Sequence, residues 1–221
     1  MEDSIIKDAL TTLADLLSRK EYDQAEKFWI SQKSTQTDYS YWHNLGVVYK
    51  LKQQYPLARF AFEKANHQTL YSSQTINELD VVVEKLGFAE SSHDSFYPAE
   101  WLVSLGPMKV WGCGIILSVL IISFLQKKLS LIQKSLTISL SLIPLIATYL
   151  YFDLTVGFVT IDNLPIYGGA SQVYATGKFV PAGSRLVGVP KGDWISLRSQ
   201  SGDQFWSKSE DLKNQCMLLW E

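Results

Sequence analysis

Two uncharged apolar stretches constrain this chain more than any other feature. They are residues 110–125, VWGCGIILSVLIISFL, and 135–152, SLTISLSLIPLIATYLYF. Each is close to ~18 residues, the lower limit for a helix crossing a hydrocarbon core ~30 Å thick. The connection between them, QKKLSLIQK, is long enough to turn a helix back and too short to fold by itself. Residues 108–152 therefore predict a transmembrane helical hairpin. The competing reading is a helical hairpin buried in a soluble core. Such helices usually keep a polar stripe, whereas only Ser, Thr and Gly interrupt these two, so the membrane reading is preferred. Gly114 with Ser118, and Ser135 with Ser139, stand at the spacing that lets helices approach in lipid. Pro144 is expected to kink the second helix. Trp101, Trp111, Tyr149 and Tyr151 cluster at the ends away from the turn, as an interfacial belt does.

A hairpin places both flanking regions on one side of the bilayer. Lys127, Lys128 and Lys134 lie in the turn, whereas only Lys109 lies close outside it. The positive-inside rule then puts the turn in the cytoplasm and both flanking domains in the periplasm of a two-span inner-membrane protein. The N-terminal stretch MEDSIIKDALTTLADLL opposes this. Asp3, Lys7, Asp8 and Asp15 break any signal-peptide core, so the inverted topology stays open.

The remaining segments have different periods. Residues 1–90 repeat at helical spacing, with Ile6, Leu10, Leu13 and Leu17 forming one stripe and EYDQAEKFWI a second helix. Trp42, Leu45, Gly46 and Tyr49, followed by Ala58, Phe62 and Ala65, fall on facing helical surfaces. Gly46 lets a partner helix approach, and Ala58 is the small residue opposite it. Residues 74–86 form a further helix, ended by Gly87. Residues 91–107 are a linker. Residues 153–221 change to short β-patterned runs, at 158–161, 185–189, 194–198 and 204–206, punctuated by glycine turns. They predict a small all-β barrel.

Composition excludes several function classes. A formal net charge of -2 supplies no basic field for nucleic acid. Cys113 and Cys216 sit in different segments and give no metal or disulfide pattern. His43, His67 and His93 have no ligand spacing. There is no phosphate loop, no G-x-S-x-G and no H-E-x-x-H. The sequence thus predicts no catalytic residue, no metal and no cofactor. The apolar stretches also lack the ionisable residues that a transporter carries.

The Trp42–Ala65 run resembles the tetratricopeptide repeat, whose signature spaces W, L-G, Y, A, F and A in this way; Leu70 stands where the family usually has Pro. The resemblance implies a peptide-binding groove lined by first helices. His43, Val47 and Lys50, at i, i+4 and i+7, are the candidate groove residues. The C-terminal segment resembles a bacterial SH3-like domain through Val159-Thr160, Pro165-Ile166-Tyr167, Pro181-Ala182-Gly183-Ser184, Gly192-Asp193-Trp194-Ile195, Gly202, Phe205-Trp206 and Leu212. That resemblance makes Tyr167, Tyr174, Trp194 and Trp206 the candidate ligand platform, with Trp194 and Trp206 as half-buried barrel core the competing reading. In order of parts, the chain resembles the E-type protein of the bacterial aerotolerance operon. This implies a non-catalytic membrane scaffold that binds other membrane proteins of an envelope complex. The alternatives are a cell-wall-targeting accessory subunit that meets a peptidoglycan peptide, and a signalling accessory facing the cytoplasm.

Overall fold

The computed structural model describes residues 2–68, 72–88, 156–199 and 201–220. Five helices come first: α1 (Glu2–Ser18), α2 (Tyr22–Ser31), α3 (Asp38–Leu51), α4 (Tyr55–Gln68) and α5 (Ser73–Lys85). Each has a local reason to begin or to pack. Thr37 caps α3 by accepting from the Ser40 amide, which satisfies an otherwise orphaned helix donor. Pro56 stands in the first turn of α4, where a missing N–H costs little. Ala25 and Trp29 are fully buried on α2, and the Trp29 indole donates to the Tyr41 carbonyl at 2.9 Å. That bond fixes α2 against α3.

The α3–α4 pair turns on one close approach. A Cβ at Gly46 would lie 2.7 Å from the Phe62 ring. Only glycine admits that ring, and Phe62 is fully buried because of it. Ala58, Ala61 and Ala65 are also fully buried and keep the two helix axes close. Phe62 and Ala58 then join Leu79, Val82 and Val83 of α5 in the next layer of core.

The second half forms one antiparallel sheet, made of β1 (Val156–Thr160), β2 (Leu164–Tyr167), β3 (Ala175–Val180), β4 (Arg185–Lys191), β5 (Trp194–Ser199), β6 (Gln204–Lys208) and β7 (Cys216–Trp220). A short helix, α6 (Ser209–Gln215), precedes β7. The strand order is β3-β2-β6-β5-β4-β1-β7. The sheet curls round Phe158, Leu164, Leu186, Ile195, Leu197 and Phe205, and Leu212 of α6 closes that core. Alternation sends the intervening residues to the outer face.

α4 lies on part of that outer face. Phe60, only 4% exposed, packs on Val159 and Leu219, with Trp42 and Met217 beside them. Around this apolar contact stands a buried charge cluster. The Glu63 carboxylate is 3.7 Å from Arg59 Nε and 3.5 Å from Arg185 Nε, and all three side chains are at most 2% exposed. Arg59 Nη1 also donates to the Gly183 carbonyl at 2.9 Å. Gly183 has φ +85°, and a Cβ there would sit 2.7 Å from Leu86. The turn at 181–184 is therefore fitted against the end of α5.

This architecture corrects the expected fold class. Among the described residues there are six α-helices and a curled seven-stranded antiparallel sheet, and no helix is long and apolar enough to cross a membrane. The physical reason is visible in α1, the longest at 17 residues. At 1.5 Å per residue it falls short of a ~30 Å core, and Asp8 and Asp15 interrupt it. The expected hairpin, 108–152, and the linker, 91–107, lie outside the described residues. The transmembrane assignment, the two inner-membrane spans and the periplasmic placement derived from them are accordingly not supported. α4 packs on the sheet, so the helical and β segments share a contact. The sheet also exceeds the expected strand runs, with β2 and β3 added at one edge and β7 at the other.

Candidate functional site

The candidate groove residues of α3 meet α5. His43 is 7% exposed, and its Nδ1 is 2.9 Å from Thr75 Oγ1. Tyr39 stacks on the imidazole, and its hydroxyl donates to Ser72 at 2.8 Å and lies 3.1 Å from Thr75. Val47 packs into the layer formed with Leu79 and Val82. Lys50 forms an ion pair with Glu78. All three are thus brought together, at a seam between helices of the same chain.

Burial holds the His43 imidazole below its ordinary range; Glu78 opposes that shift and Lys50 adds to it. The sign of the pH effect follows. Above about pH 6.5 both folded and unfolded chains hold neutral imidazole. Below it the unfolded chain takes up a proton that the buried ring resists, so stability is lost as pH falls toward the folded pKa. His43→Gln should lack this loss. Thermal unfolding of the two proteins from about pH 7.5 to about pH 5.5 should show the wild type losing its advantage toward the acid end. Parallel curves would mean that the ring protonates without hindrance.

The signature residues divide between core and seam. Leu45, Gly46, Ala58, Phe62 and Ala65 are buried, while Trp42 and Tyr49 are half-buried. The Tyr49 phenol is pushed up to about 12, first by burial and then by Glu26. Trp42 stands edge-on to Phe60 at 5.5 Å, where α3 and α4 approach the sheet.

On the sheet, α4 covers only the part near β1 and β7. Further across, the outer face carries Tyr167 on β2, Trp206 on β6 and Trp194 on β5. Tyr167 pairs directly with Trp206 across the strands. It also meets Trp194 edge-on, with ring centres 5.0 Å apart and planes at 85°. Ser196 faces Trp206, and Lys208 faces Trp194. The Lys191 ammonium lies over the Trp206 ring at 5.4 Å, which occupies one face of that indole with an internal cation. All three rings are half-buried. Their apolar bodies are anchored and their edges reach solvent. Tyr174 is 60% exposed and lies in the β2–β3 connection against Gly169. Among the described residues no ring contact joins it to the other three.

No family model, characterised protein or solved structure matches the chain.

The resemblance to the aerotolerance-operon protein therefore rests on the sequence pattern alone. Beside Trp194 the structure adds a cleft of about 470 Å³, walled by Gln172, Asp193, Lys208, Glu210 and Lys213. Of these the sequence reading named only Asp193, as a turn residue and not as part of a site. A signal was present, because Lys208 lies two residues beyond Trp206 and so shares its face. The turn Gly192–Asp193, with Gly192 at φ +66°, brings Asp193 to the same end.

Proposed function

We propose that this chain is a non-catalytic binding protein, in which the repeat-like helices and the curled sheet act as one body and present the Tyr167–Trp194–Trp206 face to an extended segment of a protein partner. The observation that carries this reading is the division of the outer sheet face. One part is sealed by α4, and the adjoining part keeps three aromatic rings half-exposed and locked by cross-strand pairing. Rigid aromatics that need little ordering are the residues that dominate protein recognition. The α3 face is a weaker site, since α5 occupies it. A net charge of -2 gives no reason to expect nucleic acid.

The test is selection of peptides from a displayed library on the full chain. Trp194→Ala should weaken the selected peptides by about ten-fold or more, as truncation of a central anchor does. Circular dichroism should be unchanged. Selected peptides that bind Trp194→Ala and Trp206→Ala like the wild type would sink the reading.

A further inference from the structure

The cleft beside Trp194 is lined by charges of both signs. Lys208 and Lys213 supply two cations, and Asp193 and Glu210 two anions. Among the described residues no ion pair joins any of the four. A polyanion would meet Asp193 and Glu210, and a polycation would meet the lysines. Complementarity therefore selects a ligand that carries one charge of each sign. Lys208 is the cross-strand partner of Trp194, so an ammonium and an indole stand side by side in the wall of the cleft. The remaining wall is Gln172 and Ser209, neutral hydrogen-bonding residues suited to a peptide bond. A volume of about 470 Å³ is in the range of ligand-sized pockets, enough for a short peptide end.

From this arrangement we infer that the cleft binds the free C-terminal end of a peptide bearing a basic residue close to that end. Lys208 and Lys213 take the terminal carboxylate, Asp193 and Glu210 take the basic side chain, and Trp194 packs on the apolar body between them. Two ammonium groups on one carboxylate form charge-assisted hydrogen bonds, which are stronger than neutral ones. This rests on the aromatic face being the recognition surface, and it adds the chemical identity of what is recognised.

The experiment is calorimetric titration of the full chain, at low salt, with acetyl-Gly-Lys-Ala-Phe as the free acid. Two comparison peptides complete the set: the C-terminal amide, and the acid with norleucine in place of lysine. Each change should weaken binding by about ten-fold, the effect of losing one charge-assisted contact. The double variant K208Q/K213Q should bind acid and amide alike. D193N/E210Q should bind the lysine and norleucine peptides alike. These substitutions replace surface charges, and unchanged thermal unfolding will show that the fold is kept. The inference is overturned if acid and amide bind the wild type equally, if the parent peptide fails to bind, or if K208Q/K213Q still prefers the acid. If library-selected peptides depend on Trp194 while any of these failures holds, the aromatic-face reading survives and this inference falls alone. If neither peptide set depends on Trp194, both fall.

Discussion

Glu63→Leu is expected to destabilise the full chain by about 3–5 kcal/mol, the usual cost of breaking a buried ion pair from one side. The reason lies in what surrounds Glu63. Its carboxylate stands between Arg59 of α4 and Arg185 of β4, at 3.7 and 3.5 Å, and all three side chains are nearly inaccessible. Removing the carboxylate leaves two guanidinium groups in the same low-dielectric seam without the anion between them. Leucine fills most of the volume, so the effect is electrostatic rather than a cavity. Adding Arg185→Met should recover part of the loss, because an apolar pair in place of a buried ion pair is often tolerated. Urea unfolding of the single and double variants measures both quantities. A loss under about 1 kcal/mol for Glu63→Leu would mean that water reaches the seam and screens the cluster. The same seam makes a prediction about cooperativity. Helical circular dichroism and the fluorescence of the sheet tryptophans should report one coincident transition in the wild type. They should separate when the seam is broken.

This seam explains why part of the fold was legible in the sequence and part was not. Local pattern carried the helix pairs. Trp42, Leu45, Gly46, Ala58, Phe62 and Ala65 encode a close helix–helix approach through size and spacing alone, and the Gly46–Phe62 contact is its physical content. The aromatic face was legible in part. Alternation along 194–198 and 204–208 puts Trp194 and Trp206 on one side, but the pairing with Tyr167 depends on β2 lying beside β6, a long-range register. Arg59, Phe60 and Glu63 were not legible. On an isolated repeat they form an ordinary amphipathic exterior, and only a sheet almost a hundred residues later in the chain buries them. For the same reason His43, Val47 and Lys50 looked like a free face, since α5 covers them from another segment. A stretch without charges dominated the sequence reading because hydropathy is the loudest local signal. It carries no information about contacts between distant segments, and those contacts shape the described fold.

Trp29→Ala should cost more than Trp42→Ala, although Trp42 is the residue the repeat signature makes prominent. Trp29 is fully buried, and its indole donates to the Tyr41 carbonyl. Truncation opens a cavity among Ala9, Leu13, Leu45 and Val48, the side chains of the same core. It also deprives the Tyr41 carbonyl of that donor. Aromatic-to-alanine changes at such sites cost about 3–5 kcal/mol, and the lost hydrogen bond adds about 1 kcal/mol. Trp42 is only half-buried and touches Phe60 and Tyr41 by ring edges. Water can enter the space it vacates, which limits its cost to about 1–3 kcal/mol. The two losses should also differ in kind. Trp29→Ala should loosen α1, α2 and α3 and lower protection of their amides in hydrogen exchange. Trp42→Ala should act on the α4–sheet contact, so its effect should couple to Phe60→Ala in a double-mutant cycle, whereas that of Trp29→Ala should add independently. A larger loss for Trp42→Ala, or coupling of Trp29 to Phe60, would place the centre of the helical core at the sheet seam instead of between α2 and α3.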